Sequence, residues 1–155
     1  MFILGSTVSS NNLLSDIAHP YMTRLAEISQ ENINLAILFE KKALYLKVFL
    51  KTIELVPYTK KTIIDPKVLL RIIRNVKKKG YATDLEELSE EIHCIGAPIR
   101  DHTNKVIAAI SISAPAVRLT IQKMEKLKGS LMEASLQISK KLGYTETKTT
   151  VKGAN

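Results

Sequence analysis

Cys94 to Pro115, CIGAPIRDHTNKVIAAISISAP, constrains the fold more than any other part of this chain. Two strand-length apolar runs flank the polar turn Asp101-His102-Thr103-Asn104. Asp and Asn favour such turns because their short side chains bond the nearby backbone. The pattern predicts two antiparallel strands, roughly His93 to Ile99 and Lys105 to Ser113. Side chains alternate between faces along a strand. Ile92 and Cys94 therefore share one face of the first strand, and Ser111 and Ser113 share one face of the second.

The neighbouring segments fit an α+β domain. Residues 5–12, GSTVSSNN, read as a linker of small polar residues with nothing to bury. From Asp16, the apolar residues Ile17, Tyr21, Leu25 and Ile28 recur at helical spacing, with Pro20 in the expected first turn. NLAILFE (34–40) and ALYLKVF (43–49) read as a hairpin around Lys41-Lys42. Asp65-Pro66 predicts an N-cap with proline at the first helical position. Leu69, Ile72, Ile73 and Val76 would form that helix's buried stripe, with Lys77 to Lys79 in its last turn and Gly80 ending it. Tyr81 to Asp84 predicts a short strand. Thr120 should cap a long helix that buries Ile121, Met124, Leu127, Leu131, Ala134, Ile138 and Leu142. The expected architecture is an antiparallel sheet with helices packed on it. Residues 1–15 are expected as a linker remnant, 16–144 as one domain and 145–155 as a disordered tail.

The bulk composition excludes several classes of protein. At 155 residues the chain is one domain in size, and its 45% apolar content matches a folded globular protein. Its longest apolar runs are strand-sized, short of a bilayer span. A single cysteine forms no internal disulfide, so a reducing cytoplasm is the expected compartment. The net charge of +8 invites a nucleic-acid reading, but the lysines cluster at turns and helix ends, where they complement helix dipoles. No basic residues alternate with aromatics as in a single-strand platform. The expectation from the sequence is a solvated lysine-rich surface.

The chemistry of Cys94 to Pro115 admits several readings. A serine nucleophile needs an adjacent base and usually a glycine-flanked elbow, and Ser111 and Ser113 have neither in sequence. Adjacent residues of a strand point oppositely, so His93 and Cys94 cannot ligate one metal. His19 and His102 lack ligand spacing to Cys94. No metal and no cofactor are expected, and His93 and His102 read as surface residues. Two readings remain level: small core-compatible side chains, or a thiol and hydroxyls lining a pocket for a small organic molecule.

GYATDLEELSEEIHCIGAPIRDHTNKVIAAISISAPAVRLT resembles the signature region of IclR-type transcriptional regulators. The resemblance extends back through TIIDPKVL to NLAILFEKKALYLKV and forward to SKKLGY, covering most of residues 16 to 144. It implies a GAF-like (profilin-like) effector-binding domain that forms homodimers or tetramers and is not an enzyme. It also implies a pocket of Asp84, Ile92, Cys94, Ser111 and Ser113 that takes a small, carboxylate-bearing effector. DNA would be reached only through an N-terminal winged helix-turn-helix lying outside these residues, MFILG being at most the end of its wing.

Three features depart from the family pattern. The winged helix is one; another is a strand and helix that the family carries after the hairpin. Lys47-Val48-Phe49 instead runs almost directly into LKTIELVP, so residues near 48–50 mark a missing segment. Finally, Glu91 and Ala114 replace usual glycines. The alternative readings are a small hydrolase or thiol enzyme using Ser111 or Cys94, and a free-standing GAF-like sensor.

Overall fold

The computed structural model describes residues 3–37 and 55–146, with side chains of the first helix from Leu13 onward. Its elements are α1 (Ile3–Ser29), β1 (Asn32–Ile37), α2 (Pro66–Lys79), β2 (Ala82–Leu85), β3 (Ile92–Arg100), β4 (Val106–Pro115) and α3 (Ile121–Lys141). The four strands form an antiparallel sheet in the order β1-β4-β3-β2.

The sheet has two chemically different faces. Ile95, Ala97 and Ile99 of β3 and Ala108, Ile110, Ile112 and Ala114 of β4 are buried on one face. Leu14, Ala18 and Leu25 of α1 and Met124, Leu127, Leu131 and Ile138 of α3 complete that core. The period of two in β3 and β4 meets the helical period of α1 and α3 across one apolar layer. The other face of the strands is left to smaller and more polar residues.

Local punctuation sets the helix ends. Asp65 caps α2, its Oδ1 accepting from Lys67 N at 2.7 Å, and Pro66 follows as expected. Gly80 closes the helix at φ 79, where a side chain would be strained and its Cβ would lie 3.2 Å from Met132 Cε. Thr120 caps α3 by accepting from Lys123 N at 3.2 Å. Asp101 organises the β3–β4 turn by accepting from Thr103 and Lys105 N–H groups, while Asn104 takes a left-handed φ of 63.

Several expectations from the sequence need correction. Residues 5–12 are helical, and Pro20 lies far inside α1 instead of in its first turn. The buried stripe of that helix is Leu14, Ala18, Leu25 and Ser29, while Ile28 is exposed. That spacing centres the buried stripe to one side of Ile28, which falls on its flank. In α2 no residue is fully buried, and Leu69, Ile72, Ile73 and Val76 are only half-buried. Ile121, at the first position of α3, is exposed and not buried as expected. The expected second strand of the hairpin and the tail beyond 146 lie outside the described residues.

Candidate functional site

The strand register places all five sequence-derived residues on the face opposite α1 and α3. Asp84 pairs with Cys94, and Cys94 pairs with Ser113, forming one row across three strands. Ser111 lies two residues along β4, and Ile92 two residues along β3, so the period of two keeps both on this face. Cys94, Ser111 and Ser113 are half-buried.

Hydrogen bonds tie the row together. Cys94 Sγ lies 3.2 Å from Ser113 Oγ, donating to it. Asn34 Nδ2 donates to the same hydroxyl oxygen at 3.0 Å. Asn32 pairs with Ser113 and Asn34 with Ser111, so β1 adds two amides to this face. The sequence reading did not single these out. Their signal was the alternation NINL, polar residues at 32 and 34 against apolar residues at 33 and 35. Gly96 pairs with Ser111, and a Cβ there would stand 3.4 Å from Ser111 Cβ. The glycine leaves open the space beside that hydroxyl.

Asp84 is held at the edge of the site by its own loop. Its Oδ1 accepts from Glu87 N at 2.7 Å. The loop is in turn fastened by residues 58–62: Thr59 Oγ1 donates to Glu86 O at 2.7 Å and Thr62 Oγ1 to Glu87 O at 2.5 Å. Lys61 Nζ lies 2.9 Å from Glu86 Oε1. Their hydrogen bond holds the Glu86 carboxyl below its ordinary value against the opposing effect of burial. Neither threonine carries a sequence signal, since both act through the backbone of residues 25 or more positions away.

The geometry suits binding better than acyl transfer. Ser113 Oγ is partnered by an amide and a thiol, and the described neighbours of Ser111 include no base. His93 projects from the other face of β3, where Nδ1 lies 2.8 Å from Leu119 O and Nε2 3.6 Å from Glu86. It is a half-buried bridging residue, contrary to the surface role expected of it. His102 is exposed in the β3–β4 turn. Neutral hydroxyl, thiol and amide groups on this sheet face offer several donors to an anionic or polar ligand. A cavity of about 520 Å³ lies elsewhere, between α1 and α3, lined in part by Tyr21, Arg24, Ile28, Gly129 and Glu133. None of the five site residues lines it.

The fold agrees with the comparisons. A family model described as bacterial transcriptional regulator IclR C-terminal matches residues 45–140. The chain belongs to the IclR family. It is 37% identical over 100 residues to the HTH-type transcriptional regulator KipR of Bacillus subtilis, an alignment covering 64% of this chain and 40% of KipR. The Thermotoga maritima IclR crystal structure superposes with a TM-score of 0.77 at 30% identity, covering 91% of this chain and 73% of that one. The acetate operon repressor of Salmonella typhimurium is 27% identical over 186 residues, covering 93% of this chain and 68% of the repressor. That alignment is longer than the 155-residue chain and so requires gaps within it. The chain spans about two fifths of the length of relatives such as KipR.

These relatives are transcriptional regulators, not enzymes. The sheet and its helices are therefore the GAF-like C-terminal domain of an IclR-family regulator. No helix among the described residues is long and apolar enough to cross a membrane.

Proposed function

We propose that this IclR-family domain senses a small carboxylate-bearing metabolite on the sheet face formed by Asp84, Ile92, Cys94, Ser111 and Ser113, with Asn32 and Asn34 beside them. The observation that carries this reading is the unbroken row Asp84, Cys94, Ser113 with two donors converging on Ser113 Oγ. Fixed neutral donors recognise a carboxylate without the cost of burying a cation. The domain self-associates as a homodimer or tetramer. Effector binding favours one arrangement of subunits, and so changes the spacing of winged helix-turn-helix heads that precede this domain in the regulator.

Thermal shift against a panel of small carboxylic and sugar acids tests the site. A ligand at a hundredfold excess over its dissociation constant stabilises the folded state by about 2.7 kcal/mol. Replacing both hydroxyls, Ser111→Ala with Ser113→Ala, should remove most of that stabilisation while preserving strand packing. Equal shifts in both proteins would overturn the assignment.

A further inference from the structure

Helix α2 concentrates the charge of this protein. Its fourteen residues, PKVLLRIIRNVKKK, hold six cations and no acid, against a net charge of +8 for the whole chain. Lys67, Arg71, Arg74 and Lys78 recur at helical spacing and are all exposed. At 1.5 Å per residue they form a line about 16 Å long on one side of the helix. Elsewhere some cations meet acids, Lys61 with Glu86, Arg118 and Lys123 with Glu31, and Lys128 with Glu125, while others, such as Lys105, Lys126, Lys140 and Lys141, are spread over the β3–β4 turn and along α3. Among the described residues, none of the six α2 cations has such a partner.

Helix-dipole complementarity accounts for only part of this. It favours Lys77 to Lys79 in the last turn, but Lys67 stands in the first turn, where a cation is disfavoured, and Arg71 and Arg74 lie between the ends. A line of four exposed cations that the dipole does not explain calls for an anionic partner.

We propose that the Lys67-Arg71-Arg74-Lys78 line docks on the phosphate backbone of duplex DNA, a sequence-blind contact made by the effector domain itself. The choice of duplex rests on reading the protein as part of a DNA-binding regulator. The helix carries no aromatic residue for stacking, which argues against single-stranded nucleic acid. Leu69, Ile72, Ile73 and Val76 are half-buried and lie away from the cation line, and Leu70, which flanks it, is half-buried too, so a bilayer would find little apolar surface at the contact. Such a contact adds affinity and orientation but no sequence information.

Fluorescence anisotropy of a labelled duplex of arbitrary sequence, titrated with the 155-residue chain over a range of salt, tests this. Four phosphate contacts give a log–log salt slope of about −3.6. Lys67→Gln, Arg71→Gln, Arg74→Gln and Lys78→Gln together should flatten the slope and weaken low-salt binding by more than about tenfold, with helix propensity retained. Arg71→Gln with Arg74→Gln, a milder change, should lose about half the slope. Lys105→Gln, Lys126→Gln, Lys140→Gln and Lys141→Gln, which remove the same net charge elsewhere, should leave binding largely intact. Equal weakening by the two quadruple sets, no salt-sensitive duplex binding, or capture by phosphatidylglycerol vesicles with the duplex ignored would each overturn the proposal. Effector binding is read on the separate serine variant, so either reading can fail without the other.

Discussion

Glu31 Oε1 lies 2.8 Å from Lys123 Nζ, joining the residue before β1 to the first turn of α3. Its other oxygen accepts from Arg118 Nε at 3.2 Å and from a terminal guanidinium nitrogen at 3.0 Å. The Glu31 side chain is 2% exposed. Burial alone would raise its carboxyl, but the bonds and charges of Lys123 and Arg118 outweigh this and hold it below the ordinary 4.5.

Glu31→Gln should therefore destabilise the fold by about 2 kcal/mol at neutral pH, as expected for hydrogen bonds between charged groups. The exposure of Arg118 keeps the loss below that of a fully buried pair. Because the folded-state carboxyl titrates lower than the unfolded one, this stabilisation is present above about pH 4.5 and is lost as pH falls through the folded value. Urea unfolding at neutral pH and at about pH 3 should show a variant penalty that shrinks in acid. A penalty independent of pH would contradict the ion-pair account.

Glu91 sits at φ 61, in the region where a side chain crowds its own backbone. Its carbonyl accepts from Ala116 N at 2.7 Å, a bond that any residue can supply. Left-handed geometry costs a non-glycine residue about 1–2 kcal/mol, partly offset by the greater unfolded entropy of glycine. Glu91→Gly should stabilise the fold by a net of about 1 kcal/mol, read as a higher urea midpoint with an unchanged m-value. A lower midpoint would mean that the glutamate side chain contributes more than its backbone costs.

Gly129 lies inside α3, and a Cβ built there meets nothing within 4 Å. The fold of one chain thus gives no steric reason for glycine at that position. Gly129→Ala should stabilise the protein by about 1 kcal/mol, the difference in helix propensity. Thermal unfolding would show it as a higher Tm, and an unchanged or lower Tm would count against the prediction.

Legibility in the sequence followed the range of the interaction. Asp65, Pro66, Gly80 and Thr120 mark helix ends through bonds to residues a few positions away, so their roles are readable locally. The alternation of β3 and β4 assigned Ile92, Cys94, Ser111 and Ser113 to shared faces, and antiparallel pairing then aligned those faces. Asp84 was placed only by resemblance, because its strand is four residues long and its register comes from β3. The Glu31–Lys123 bond spans 92 positions, and nothing near Glu31 marks it as buried. The start of α1 was missed because GSTVSSNN has poor helix propensity and Pro20 resembles a first-turn signal.

Glu87 offers a test of charge at the candidate site. Burial pushes its carboxyl above the ordinary 4.5, and the negative charge of Asp84 pushes it further. The two residues are coupled through structure as well, since Asp84 Oδ1 accepts from Glu87 N at 2.7 Å. Asp84→Asn keeps an oxygen for that bond and removes the charge. Glu87 should then titrate lower than in the wild type yet still above its ordinary value, because burial remains. A raised carboxylate makes ionisation costlier in the folded state, so stability falls as pH rises from about 4.5 through the folded value. Glu87→Gln should abolish that fall. A carboxylate ligand docked beside Asp84 would add a further negative charge, raise Glu87 again and make binding take up protons. Affinity should therefore strengthen as pH drops through this window. Carboxyl NMR titrations of wild type and Asp84→Asn read the coupling directly, and an identical Glu87 titration in both would show that Asp84 does not set it.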